Sequence, residues 1–145
     1  MASNPAKDLL DKARALTISI RRTTRRIDTL RNMATNSAAG GFRERSGTVT
    51  SNGKVERCVI GIVDAERDMQ ADTAELDSLL PAVRAMIDAL DCPEHRQVLR
   101  LRYIDGMSWQ DVAAACCYSQ SYTYKLHGRA LLAAAATMRG GGRVG

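Results

Sequence analysis

A chain of 145 residues has room for one domain, or for a small domain with an extended accessory element, and not for a multi-domain enzyme. Its net charge of +5 is unevenly spread, and five of its six aromatics fall between Tyr103 and Tyr124, so aromatic packing is confined to the C-terminal third. No run approaches the roughly 18 apolar residues of a membrane span, and Met1–Lys12 lacks a signal peptide's apolar region, so a cytoplasmic protein without membrane contact is expected.

From Leu9, apolar and small residues return as Ala13, Leu16, Ile20, Thr23, Ile27, Leu30 and Ala34, the 4-3 spacing of a coiled-coil seam. This predicts a helix from about Pro5 to about Ala34, with Asn4 as N-cap and Pro5 at the first helical position, where its missing N–H costs nothing. Residues 36–53, rich in Gly, Ser, Thr and Asn, have no sustained period and are expected to form a flexible loop. The spacing resumes at Val55 and runs through Val59, Ile62, Glu66, Met69, Thr73, Leu76, Leu80, Val83, Ile87 and Leu90. A second helix of about 36 residues, roughly 54 Å long, follows from it. Pro81 lies inside this helix, where a lost backbone bond predicts a kink or a break that frees Val83–Leu90 as a final segment.

Residues 1–92 are thus expected to form a long antiparallel helical hairpin. Residues 5–35 carry eight Lys/Arg against three Asp/Glu, whereas 54–92 carry four against nine. Folding about the loop brings Thr23, flanked by Arg21, Arg22, Arg25 and Arg26, close to Glu66, so the arginine cluster is expected to be neutralised by the partner helix. Thr23, Glu66 and Thr73 weaken the seam, and two helices alone bury little surface, so the hairpin is expected to need a second copy or another protein, most simply a homodimer through a four-helix bundle.

After Asp91-Cys92-Pro93 the period changes. A helix carrying Val98, Leu99, Leu101 and Tyr103 should stop at Asp105-Gly106, where glycine supplies the left-handed cap. Ser108 caps a short helix with Trp109, Val112, Ala113 and Cys116 on one apolar face, and Ser119 caps a last helix running to about Met138. Short helix, tight turn, longer helix is the helix-turn-helix arrangement. At 100° per residue, Gln120, Ser121, Tyr124, Lys125 and Gly128 of the last helix form an outward stripe flanked by Tyr122 and Arg129, while Thr123, Leu126 and Ala130 point inward. Residues 93–139 form the expected helix-turn-helix module and 140–145 a disordered tail.

The wording of this region is specific. Pro93-Glu94-His95-Arg96-Gln97-Val98-Leu99-Arg100-Leu101-Arg102-Tyr103, then Asp105-Gly106-Met107-Ser108-Trp109-Gln110-Asp111-Val112-Ala113, then Tyr118-Ser119 and Arg129-Ala130-Leu131, resembles region 4 of bacterial sigma factors. The ending Tyr124–Leu131, attached to a long helical pair, is similar to the phage and prophage ArpU-type late transcriptional regulators. The resemblance implies an all-α fold with a three-helix, sigma-region-4-like module after the hairpin. It also implies binding of double-stranded DNA by the last helix in the major groove, in a bacterial host cell, with the helical hairpin supplying either dimerisation or contact with RNA polymerase. Ser119, Gln120, Ser121, Tyr122, Tyr124, Lys125 and Arg129 are the expected DNA-binding residues. Gln120 suits adenine, Lys125 guanine or phosphate, and Tyr124 a sugar or phosphate. The sigma pattern usually has glycine where Cys117 stands, a branched apolar residue at Thr123, and arginines where this chain has Gln120-Ser121-Tyr122.

Two other functions share this architecture. A small terminase-like packaging recogniser also joins a helix-turn-helix to a coiled coil, and a region 4 mimic could bind polymerase without reading DNA. No GxSxG, HExxH or phosphate loop occurs, so neither catalysis nor a cofactor is expected. Cys58, Cys92, Cys116 and Cys117 form no CxxC pair, which argues against a zinc site and for buried reduced thiols.

Overall fold

The computed structural model describes the backbone of residues 4–43 and 48–141, and the side chains of 4–36 and 53–140. Within these residues the chain is all-helical. The helices are α1 (Pro5–Arg43), α2 (Thr48–Asp88), α3 (Pro93–Leu99), α4 (Trp109–Cys116) and α5 (Gln120–Gly141), and α3 continues into a π-helical turn, Arg100–Ile104. No described helix is long and apolar enough to cross a membrane.

Asn4 opens α1 as its N-cap: its side-chain oxygen accepts from the amides of Ala6 and Lys7 at 3.0 and 3.2 Å. Both long helices extend past their apolar seams, α1 to Arg43 and α2 from Thr48. Most of the loop expected over 36–53 therefore has helical backbone, and its centre, 44–47, lies outside the described residues. A backbone helix needs only local hydrogen bonds and need not end where the seam does. The tail expected over 140–145 lies outside the described residues from Gly142 on.

The contacts divide the chain into two compact units, one of Met1–Ile18 with Glu75–Gly145, the other of Ser19–Ala74. This partition differs from one drawn at residue 92, because the start of α1 and the end of α2 pack with the C-terminal helices. In the first unit, Ala6, Leu10 and Ala13 of α1 share a core with Val83, Met86, Ile87 and Leu90 of α2, Leu99, Tyr103, and Ala130 and Ala134 of α5. Val83–Leu90 is accordingly anchored rather than freed, and α2 runs through Pro81 without a break. Pro81 is exposed, as is Asp77, whose carbonyl loses the bond, so water can serve the freed group. A second cluster joins Val98, Val112 and Leu126.

In the unit of Ser19–Ala74, α1 and α2 meet with residue numbers running in opposite senses. Ser19 donates to Asp72 at 2.6 Å, the Thr24 hydroxyl lies 3.4 Å from Met69 Sδ, and Arg31 pairs with Glu66 at 3.5 Å. Half of the expected seam stays inward, with Val55, Ile62 and Met69 half-buried, while at the alternate positions the inward face shifts by one residue. Cys58 and Ala65 are buried and Asp72 bonds inward, whereas Val59 is 49% exposed and Thr73 is exposed. Small residues explain the shift: a Cβ on Gly61 would lie 3.1 Å from Leu30 Cδ1, so the helices approach more closely here than valines at the seam would permit. Of the arginine cluster, Arg26 lines a groove with Asp64 and Asp68 of α2, which places acid from the second helix near it without direct contact. Among the described residues no carboxylate lies within ion-pair distance of Arg22, Arg25 or Arg26, all on the exposed side of α1.

Candidate nucleic-acid interface

The C-terminal helices begin with a turn that the sequence encodes closely. Gly106 takes φ 71 after the π-helical turn, and Asp105 N–H bonds back to the Arg100 carbonyl at 3.0 Å. Ser108 then caps α4, its hydroxyl accepting from Asp111 N–H at 3.1 Å. Cys117 ends α4 in the left-handed region, at φ 59 and ψ 39, and its N–H reaches the carbonyls of Ala113 and Ala114. It is the one non-glycine residue with positive φ among those described. Ser119 starts α5, accepting from Tyr122 N–H at 3.1 Å.

One side of α5 is buried through Thr123, Leu126, Ala130 and Ala134. Thr123 is fully buried and polar, and its hydroxyl donates to the Ser119 carbonyl at 2.8 Å, which removes the cost of burying it. Gln120, Ser121, Tyr122, Tyr124, Lys125 and Arg129 all lie exposed on the other sides, with Ser119 exposed at the cap. A Cβ on Gly128 would meet nothing within 4 Å, so the face is open there. The helix carries Lys125, Arg129 and Arg139 and no carboxylate.

Behind this face is an aromatic layer that joins residues far apart in the chain. Tyr122 rests edge-on against Tyr118 with ring centroids 4.9 Å apart, and Tyr124 against Trp109 at 5.3 Å. Trp109 lies between two further groups: the Arg102 guanidinium 4.3 Å from its ring centroid, and the His127 ring at 4.4 Å. His127 Nε2 and Tyr103 Oη share a 2.6 Å hydrogen bond. Burial, then the nearby Arg102 and Lys7 charges, hold the His127 imidazole down at about 4, against a weaker opposing effect of Asp11. Burial and Asp11 push the Tyr103 hydroxyl up to about 12. At pH 7 His127 is thus neutral and Tyr103 protonated. Burial and Arg14 lower the Arg102 guanidinium from its usual value, and the Nε atoms of Arg102 and Arg14 are both buried without a hydrogen-bond partner.

Arg102, Trp109 and His127 were not among the expected site residues. The spacing from Thr123 to His127, one helical turn, places the histidine beside the buried stripe, but its partners come from α4 and the π-helical turn.

Comparison with known families matches residues 46–134 to one described as a protein of unknown function, DUF1492. The chain belongs to this family. The DUF1492 match takes in α3, α4 and α5 as far as Ala134 and leaves α1 outside it. No curated protein and no solved structure matches the chain.

Among the described residues no group of His, Cys, Asp and Glu is placed to hold a metal ion. The four cysteines are free; Cys58 is buried, Cys92 and Cys116 are half-buried and Cys117 is exposed, which corrects the expectation that all four are buried. Cys117 is pushed outward because it forms the turn rather than a helix face.

Proposed function

We propose that this chain is a DNA-binding transcriptional regulator of phage or prophage origin, in which α4 and α5 act as a sigma-region-4-like helix-turn-helix after a long helical hairpin. The observation that carries the reading is the division of α5: Thr123, Leu126 and Ala130 are buried, while Gln120, Ser121, Tyr122, Tyr124, Lys125 and Arg129 are exposed together. That face has cations and no anion, which suits a phosphate-lined groove. Lys125 and Arg129 supply the charge, Gln120 the amide able to form a two-point contact with adenine, and the tyrosine hydroxyls donors to phosphate. Ser119 and the first amides of α5 are placed to meet a phosphate oxygen.

Retardation of DNA from the chain's own operon tests this. Tyr124→Ala with Lys125→Ala should abolish sequence-specific retardation while leaving the helical circular-dichroism signal intact, because both residues are exposed. Lys125→Ala alone should lower the salt dependence of binding by about one charge. A double variant that binds as tightly as the parent refutes the assigned face.

One observation favours a second reading. The first turn of α5 presents Gln120, Ser121 and Tyr122 where sigma factors have arginines, which suits a region 4 mimic that binds RNA polymerase alone. Capture of polymerase without any salt-sensitive DNA binding would select it.

A further inference from the structure

The partly shifted seam of α2 leaves a second stripe on the side away from α1. Glu56, Ile60, Val63 and Arg67 follow one another at 4-3-4 spacing and are all exposed, Ile60 by 59% and Val63 by 48%. At 100° per residue they lie within about 60° of one another on the helix surface. Val59, 49% exposed, borders them. Among the described residues neither Glu56 nor Arg67 is in an ion pair. Among its described apolar residues the unit of Ser19–Ala74 buries only Ile27, Cys58 and Ala65, none of them completely, so it has more to gain from cover than the rest of the chain.

The order of this stripe is acid, apolar, apolar, base. It is complementary to itself when reversed. A two-fold axis crossing α2 midway between Ile60 and Val63 sets two copies antiparallel, with Ile60 against the partner's Val63 and Glu56 against the partner's Arg67, and the same contacts repeated by symmetry. We propose that a second copy of this chain docks antiparallel on the Glu56–Ile60–Val63–Arg67 stripe of α2. The apolar pair forms the dry centre of the contact and the charges its rim, which sets register and direction. A foreign helix has no reason to match this reversal. The proposal goes beyond the DNA-binding reading and is tested without DNA, so either can fail alone.

Sedimentation equilibrium of the full chain at tens of micromolar provides the test. The parent should sediment as a dimer and Ile60→Asp as a monomer with unchanged helical signal. Glu56→Arg and Arg67→Glu should each weaken self-association about tenfold, since each places like charges opposite one another twice. An equimolar mixture of these two variants should recover the parent's dimer, because every rim contact again joins opposite charges. A monomeric parent, a larger closed ring, a dimer indifferent to Ile60→Asp, or a mixture no tighter than its components would overturn the proposal.

Discussion

Cys117, in the turn before α5, and His127, on the inner side of that helix, each have a consequence that can be measured at the scale of one residue. Cys117 holds a left-handed conformation that costs an L-residue about 1–2 kcal/mol, and it is exposed, so its thiol contributes little packing. Glycine relieves that cost but loosens the unfolded chain by about 0.5–1 kcal/mol. Cys117→Gly should therefore stabilise the protein by roughly 0.5–1 kcal/mol in urea titration. His127 predicts the pH response. Its folded pKa, about 4, lies below the unfolded value, so the unfolded state binds more protons between pH 6.5 and 4. Its contribution is complete above pH 6.5 and is lost as pH falls through 4. The upper bound is about 3 kcal/mol, which the partial exposure of the ring reduces. The melting temperature should fall on acidification through this window, and His127→Asn should flatten the fall. The alternation along α5 was legible at this scale, because 100° steps decide which side chains face the core. The partners of His127 were not, since Arg102 and Tyr103 reach it only through tertiary packing.

At the scale of elements, caps and helix types followed from local chemistry, whereas helix rotation did not. Asn4, Ser108 and Ser119 cap the helices that their positions announced, and Ser119→Ala should cost about 1 kcal/mol by unpairing Tyr122 N–H. On α2 the spacing picks Val59 and Glu66 where packing buries Cys58 and Ala65, because spacing favours the larger side chains and packing here the smaller. A valine at 59 is as apolar as a seam requires, but Cys58, Gly61 and Ala65 let the backbones come closer, and Ser19 holds Asp72. Gly61 puts this to the test. Gly61→Ala needs only a small shift of the flexible end of Leu30 and gains helix propensity of about 1 kcal/mol. Gly61→Leu should instead destabilise the unit by about 1–3 kcal/mol through overpacking, read as a lower melting temperature. Pro81 does not break α2 for a related reason: its penalty depends on whether the orphaned carbonyl meets water, which spacing does not reveal.

For the whole molecule, burial is unequal. Leu10, Val83, Ile87, Val98, Leu99 and Val112 are fully buried in the unit that holds the C-terminal helices, while Ser19–Ala74 has only three deeply buried apolar residues among those described. Amide exchange of Ile60→Asp, the variant expected to remain monomeric, should show amides of α2 between Cys58 and Ala74 exchanging well before those of Val83–Leu90. Equal protection would mean that stability is shared evenly. The charge pattern acquires a narrower meaning at this scale. Arg22, Arg25 and Arg26 of α1 are exposed and have no carboxylate within ion-pair distance among the described residues, so segment totals that balance do not imply that every side chain is paired. The bias towards a basic α5 is local, and it is legible because that helix has no acidic residue at all.

The π-helical turn at Arg100–Ile104 gives the chain one residue more than an α-helix of equal length would hold. Its neighbours Val98 and Leu99 serve different clusters, and Tyr103 rejoins the side of Leu99. The segment is thus a place where the chain takes up an extra residue without moving what flanks it. Removing a single residue between 100 and 104 would let the segment close to an α-helix of the same length and leave Gly106 and Ser108 near their places, whereas a deletion in a regular α-helix swings everything after it by about 100°. A single-residue deletion scan across α3, this turn and α4 should therefore find its mildest losses of stability in these five positions and deeper ones in the regular helices on either side.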